Sequence, residues 1–366
     1  MATTKLNSIM IKGYRSIHEM NFVPHDINIM IGPNGAGKSN FISFFNFLSW
    51  MLNSDGKLQL RVAELGGAND ILFDGADITK AIEALVRLET PSGFNEYKFK
   101  LHFAKPDRLV FAEEAYRFSR KGKSTEAAWA FCGTGHDEAR LPEKNSETAL
   151  TIQNLLRKLI VYQFHNTTAT AGMRLKWSTA DGRYLKENAQ NLGSFLFRMQ
   201  TDDIRYYKLV VKYIRLVLPF FEDFELYDEF GSVLLRWKER GTTKVFNSGQ
   251  ASDGMLRTIA LIALLGQNPV NLPSVLFLDE PELGLHPAAI DVLAGLIKAA
   301  ATRCQVFVAT QSVSLVNNFS PEDLVVIERK GRDSQYHRPN SEELAAYLDE
   351  YTTGEIWEKN IIGGRP

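Results

Sequence analysis

The sequence predicts an α/β protein: a mostly parallel sheet flanked by helices, carrying a phosphate-binding loop at the end of one strand. Three observations predict it. Gly32-Pro33-Asn34-Gly35-Ala36-Gly37-Lys38-Ser39 fits the spacing G-x-x-x-x-G-K-[ST], between an apolar run at 27–31 and a helix-like run at 40–52. Far downstream, the apolar run 275–278 ends in Asp279-Glu280-Pro281-Glu282. The last third alternates helical and strand-like patterns, the rhythm of a parallel sheet with crossover helices.

Taken in order, residues 4–31 read as short strands at 8–11, 20–22 and 27–31, separated by Gly13 and by Pro24-His25-Asp26. The helix after the loop shows a thin polar stripe of Ser43, Asn46, Ser49 and Asn53, with Phe, Ile, Leu, Trp and Met elsewhere. Such a helix is buried on most sides, as between two layers of sheet. Residues 80–118 look β-rich, with alternation at 84–90, 97–103 and 109–116. Residues 119–148 are charged and contain glycine, and are expected to form a surface hairpin or mobile loop. Residues 148–160 turn helical, 159–164 are strand-like, and 188–224 are helical with several aromatics. A helix at 254–265, a strand at 275–278, a helix at 287–301 and strands at 305–309 and 324–328 follow. A last helix is expected from 342 to 351 behind the capping pair Asn340/Glu343. Neither an internal repeat nor a heptad run is evident. The domain reading is 1–79 and 246–366 as two parts of one head, 80–150 as a β-rich lobe with an exposed loop, and 151–245 as a helical insertion.

The composition limits the alternatives. Of 366 residues, 45% are hydrophobic and 23% charged, with a net charge of −1, so any nucleic-acid binding must come from a local patch. Two cysteines, Cys132 and Cys304, form no disulfide framework and suit a reducing cytosol. Cys132-x-x-x-His136 is at best half a metal site. The first residues carry no apolar signal segment, and no apolar stretch is long enough for a bilayer, so a cytoplasmic protein without membrane contact is expected.

The chemistry follows from residue types. Glycines in the loop let backbone N–H groups turn inward around an anion, and the helix that follows adds partial positive charge. Gly32 through Ser39, with Asn40 next to them, are the candidate nucleotide-binding residues. Lys38 would reach the β/γ-phosphates, and the Ser39 hydroxyl would ligate Mg²⁺. A buried strand ending in Asp279-Glu280 places Asp279 beside the metal and Glu280 beside the attacking water as general base. Ser252-Asp253-Gly254 opens a helix, where Ser252 and Gly254 could bind a phosphate held by a second copy. Ser252 could equally do no more than cap that helix.

This order of motifs, closed by Leu283-Gly284-Leu285-His286-Pro287, resembles the ATP-binding-cassette ATPases of the SMC/RecF/OLD kind, in particular their compact bacterial AAA-type members. The resemblance runs from Gly13-Tyr14-Arg15-Ser16 to the terminal Gly354-Glu355-Ile356-Trp357 and Gly363-Gly364-Arg365, and is weakest over 80–150. It implies an ABC-type P-loop ATPase head, with a mixed sheet lobe, a parallel core sheet and a β/helical insertion. It also implies a head-to-tail homodimer with two ATP molecules between heads, Ser252 and Gly254 touching γ-phosphate in trans. Relatives place a metal-sensing glutamine after the β-rich lobe, where Gln163 or His165 lies. Arg15 resembles a position near the α-phosphate or base. One departure stands out: the family usually has Thr-His-Ser where this chain has Thr310-Gln311-Ser312. Gln311 is therefore a candidate catalytic residue that cannot titrate.

Relatives of the OLD group append a Toprim nuclease. About 55 residues follow Gln311, too few for another domain of usual size, so none is expected here. ATP and Mg²⁺ are the expected ligands, and slow ATP hydrolysis the expected activity. Two uses fit: a clamp on double-stranded DNA in repair or anti-phage defence, or an ATP-gated scaffold for a separately encoded effector such as a nuclease or toxin. Candidate DNA contacts are Arg117, Arg120, Lys121 and Lys123, and separately Arg205, Lys208, Lys212 and Arg215 on one helix face.

Overall fold

A computed structural model describes residues 4–53, 58–122 and 127–365. Two six-stranded sheets face each other across one helix. The core sheet runs in the order Asp333–His337, Leu324–Lys330, Ile27–Ile31, Gln305–Ala309, Val275–Asp279, Ile160–Tyr162. All its pairings are parallel except that of the Asp333–His337 edge. Its central strands read as unbroken apolar runs because helices or sheet cover both faces. The second sheet is antiparallel, in the order Ile17–Phe22, Lys5–Tyr14, Ala81–Thr90, Gly93–Ala104, Arg108–Arg120, Ala130–Gly133. There the alternation of apolar and polar residues marks one covered face and one wet face.

Helix Lys38–Met51 lies between the sheets, which explains its composition. Phe45 meets Phe277 of the core sheet with ring centroids 4.4 Å apart, while Phe44 stacks on Phe99 of the antiparallel sheet at 6.4 Å. Ser43, from the polar stripe, hydrogen-bonds Tyr14 Oη at 3.1 Å and the Asn40 carbonyl at 2.9 Å. Asn46, Ser49 and Asn53 line a cavity of about 460 Å³ with Trp50, Arg61 and Gln163. On the other side of the core sheet pack Asp253–Gly266, Pro287–Ala301 and Ile204–Val217, in a second apolar cluster. Among the described residues no helix is long and apolar enough to cross a membrane.

Three expectations need correction. Residues 119–148 include the expected hairpin, Ala130–Gly133 pairing antiparallel with Arg108–Arg120, but are not a surface loop throughout: Cys132 in that strand, and His136 and Leu141 after it, are buried, and residues 123–126 lie outside the described residues. The region 188–224 is helical only at Leu192–Asp202 and Ile204–Val217; Phe221–Phe224 is a strand. That strand pairs with Arg236–Glu239, which pairs with Val245–Asn247, so 151–245 carries a small sheet beside its helices. The aromatics at 220, 221 and 224 suit a helical period, and tertiary pairing makes 221–224 a strand. The C-terminal helix is Ser341–Leu348, and Asn340 caps it by accepting from Glu342 N at 3.1 Å.

Candidate functional site

The phosphate loop joins strand Ile27–Ile31 to helix Lys38–Met51 through three left-handed glycines, Gly32, Gly35 and Gly37, with φ of 150°, 76° and 118°. Two of them also leave no room for a side chain. A Cβ on Gly32 would sit 2.2 Å from the Ile327 carbonyl oxygen, and one on Gly37 2.2 Å from Ser334 Oγ. Ser334, in the antiparallel edge strand of the core sheet, donates to the Ala36 carbonyl at 2.6 Å, and Tyr336 Oη donates to that of Gly37 at 3.2 Å. The C-terminal hairpin thus braces the loop from behind. Inside the loop, Lys38 Nζ is buried and donates to the Gly32 and Pro33 carbonyls at 2.5 and 3.0 Å. Burial lowers its pKa, and the carboxylates of Glu280, Asp279 and Glu282 oppose that shift. Ser39, the next residue, is exposed.

The parallel register sets Asp279 at the end of its strand, level with Ala309. Gln163 Nε2 donates to Asp279 Oδ2 at 2.6 Å, whereas His165 reaches only the Asp279 carbonyl, at 3.1 Å through Nε2. Asp279 Oδ1 is buried and has no hydrogen-bond partner among the described residues, and burial raises the carboxyl pKa. A buried carboxylate oxygen without a donor is costly unless a cation meets it. Together with the exposed Ser39 hydroxyl and the braced glycine loop, that orphan oxygen fits a divalent cation on a bound polyphosphate.

Glu280 turns away from the strand with φ of 46°, a left-handed conformation that costs a non-glycine residue about 1–3 kcal/mol. Its N–H is held by the Ala309 carbonyl at 2.8 Å. Gln311 Nε2 donates both to Asn34 Oδ1 in the phosphate loop, at 2.5 Å, and to Glu280 Oε1, at 3.2 Å. Lys38, Asn34, Gln163, Asp279, Glu280 and Gln311 therefore converge.

Arg15 stands apart from that cluster. Its backbone is left-handed (φ 50°), its Nη1 donates to Ser43 Oγ at 3.3 Å, and it lines a cavity of about 740 Å³ with Ser16, Asn40, Arg329 and Arg332. Asn40 donates to Ser16 Oγ at 2.7 Å. Ser252 Oγ caps helix Asp253–Gly266 by accepting from Met255 N at 3.2 Å, and its exposed face points to no residue of the Lys38 cluster by hydrogen bond among the described residues. Gly254 packs under the Leu283–His286 loop, where a Cβ would sit 2.7 Å from the Gly284 carbonyl oxygen.

Three residues were not assigned roles from the sequence. Arg257 donates to the carbonyls of Phe164, His165 and Leu283 at 3.1, 3.1 and 3.2 Å, tying the Ser252 helix to both Gln163's segment and the 283–286 loop. Glu282 and Ser334 bond Thr310 and the phosphate loop respectively. Glu282 was visible as the last letter of Asp-Glu-Pro-Glu, but nothing local announces Arg257 or Ser334.

A braced phosphate loop, an acidic strand end and a glutamine just past the neighbouring strand, all on a parallel sheet facing an antiparallel lobe, define an ABC-type P-loop ATPase fold like that of SMC heads. A model of the AAA-domain family described by the AbiEii toxin and type IV toxin–antitoxin systems matches residues 27–317, and the chain belongs to that family. Among solved structures, an Smc head bound to the C-terminal winged-helix domain of ScpA superposes with a TM-score of 0.60 at 15% identity, over 93% of this chain and 99% of that one. The Smc head from Pyrococcus furiosus, bound to the C-terminal domain of ScpA, gives 0.59 at 14%, over 95% and 99%. That from Pyrococcus yayanosii gives 0.56 at 12%, over 95% and 99%. No curated protein sequence matches the chain.

One prediction arises directly from Gln311. An amide donates but does not titrate near neutrality, so ATP turnover is expected to be slow and nearly flat between about pH 6 and 8. Gln311→His is expected to raise the rate and introduce a pH dependence, measured by phosphate release across that range. A steep wild-type profile, or no gain in the variant, would contradict this.

Proposed function

We propose that the protein binds and slowly hydrolyses Mg²⁺·ATP, and that ATP closes two copies head to tail, with Ser252 and Gly254 of each facing the nucleotide of the other. The observation that carries the hydrolytic part is the convergence of Glu280, Gln311 and Asn34 beside Lys38 and the partnerless Asp279 oxygen. Lys38 and the loop N–H groups hold the phosphates, Gln163 orients Asp279, and Glu280 takes a proton from the attacking water. Mg²⁺ on Ser39 and Asp279 would neutralise charge building on the phosphate oxygens. Gln311 keeps the Glu280 carboxylate turned toward the phosphate loop. The dimer part is supported by the exposure of Ser252 at a helix N-terminus, a position suited to an anion. The family resemblance supports it too.

For the use of the closed dimer, double-stranded DNA in repair or defence is the first reading, in a cytoplasmic setting. The first basic cluster does not favour it. Arg117 pairs with Glu96 at 2.5 Å and lies over Trp129, Lys121 pairs with Glu89 at 2.5 Å, and Lys123 lies outside the described residues. Arg117 and Lys121 thus already have carboxylate partners in the sheet. The second set is better placed: Arg205, Lys208 and Lys212 are exposed along Ile204–Val217, while Arg215 turns to the Glu222 carbonyl. Lys208→Glu with Lys212→Glu is expected to weaken duplex binding by about tenfold or more and to flatten its salt dependence. Unchanged affinity and slope would move the reading to a protein effector, which co-purification with an encoded neighbour would test.

A further inference from the structure

We infer that Glu282 is a positioning residue for ATP hydrolysis: it fixes the Thr310–Gln311 backbone so that the Gln311 amide bridges Asn34 and Glu280. The inference rests on the hydrolytic reading above. Glu282 Oε1 accepts two hydrogen bonds, from Thr310 Oγ1 at 2.5 Å and from Gln311 N at 3.3 Å. Thr310 Oγ1 in turn accepts from Ser312 N at 2.9 Å, and Thr310 N donates to the Met30 carbonyl at 3.0 Å. Thr310 is fully buried, so this short segment is bound on three sides.

What the segment carries is the Gln311 side chain, with its paired bonds to Asn34 and Glu280. A free glutamine side chain samples many rotamers, and holding it in one costs conformational entropy. Fixing its backbone N–H on a carboxylate three residues beyond Asp279 links that orientation to the same turn that strains Glu280. The turn is stiff: Leu283 N donates to the Glu280 carbonyl at 3.2 Å and Leu285 N to that of Glu282 at 2.9 Å. The other Glu282 carboxylate oxygen, Oε2, is buried and without a hydrogen-bond partner among the described residues. Burial raises the Glu282 carboxyl pKa, a standing cost that a purely apolar or amide residue would avoid.

The test compares Glu282→Ala, Glu282→Gln, Thr310→Val, Gln311→Ala and the Glu282→Ala/Gln311→Ala double variant. It measures kcat for phosphate release, the Kd for ATP by equilibrium titration, and melting curves. Glu282→Ala is expected to lower kcat by about a hundredfold, the effect of misplacing a group at the chemistry, with ATP affinity within about threefold. Glu282→Gln keeps an acceptor oxygen and is expected to restore most of kcat. Thr310→Val removes only the hydroxyl and is expected to cost about tenfold. The double variant is expected to be no slower than either single one, because both act through the same amide. Should Glu282→Ala fail to fold, Thr310→Val and Glu282→Gln still decide. Wild-type kcat in Glu282→Ala or Thr310→Val, or a double variant whose loss is the product of the singles, would overturn the inference. Absence of phosphate release by the wild-type protein would instead overturn the hydrolytic reading itself.

Discussion

Glu280→Gln is expected to lower ATP turnover by about a thousandfold while leaving ATP affinity within a few-fold of wild type. The change removes the basic oxygen and almost nothing else. Glutamine keeps the shape of glutamate and can still offer its amide oxygen to Gln311 Nε2, which donates to Glu280 Oε1 at 3.2 Å. The left-handed backbone at 280 is set by the strand end and by the bond from its N–H to the Ala309 carbonyl, neither of which depends on the side-chain charge. In the proposed site the binding contacts would come from elsewhere, from Lys38 and the loop glycines. Loss of kcat without loss of affinity would mark a group that acts only in the transition state. Equal loss of both would mean that residue 280 holds the substrate rather than activating water.

Lys38→Ala is expected to weaken ATP binding by about a hundredfold, and to abolish the thermal stabilisation that ATP·Mg²⁺ gives the wild-type protein. The Lys38 ammonium is buried on two loop carbonyls and faces three carboxylates, those of Glu280, Asp279 and Glu282. It is the cation among this anionic group, so its removal leaves an incoming polyphosphate to meet carboxylates without a compensating charge. Burial depresses the lysine pKa while those carboxylates hold it up. A phosphate ligand would hold it up further, and would gain a charge-assisted hydrogen bond in doing so. A melting-temperature shift by ATP·Mg²⁺ as large in Lys38→Ala as in wild type would show that nucleotide binds elsewhere.

Sequence and structure agree most closely where the requirement is local. The phosphate loop was legible because its glycines are needed by backbone geometry at fixed offsets, and the strands at 27–31, 275–279 and 305–309 because a buried parallel strand is an unbroken apolar run. The helix between the sheets is legible through apolar side chains, four of them phenylalanines, that leave only a thin polar stripe. Long-range register was not legible. Gln163 meets Asp279 across 116 positions, and Ser334 braces the loop at Ala36 across 298. The basic run around Lys121 looked open in sequence, but the antiparallel register sets Arg117 opposite Glu96 and brings Lys121 to Glu89. Residues 221–224 read as helix because aromatics three and four apart suit a helical period; the pairing with 236–239 makes them a strand, and a bulge between Phe221 and Asp223 breaks the simple alternation that would mark one.

ATP is expected to join two copies of this chain. The most direct measurement is the mass in solution of Glu280→Gln protein, with and without ATP·Mg²⁺, beside a Ser252→Arg/Glu280→Gln control. The substitution at 280 is expected to retain bound ATP, and arginine at 252 would place bulk where the second copy is proposed to dock. The predicted result is a species of twice the 41.3 kDa chain mass that appears only with ATP·Mg²⁺ and is lost in the control. A single-chain mass in ATP·Mg²⁺ with nucleotide demonstrably bound, or a dimer indifferent to both ATP and residue 252, would contradict it.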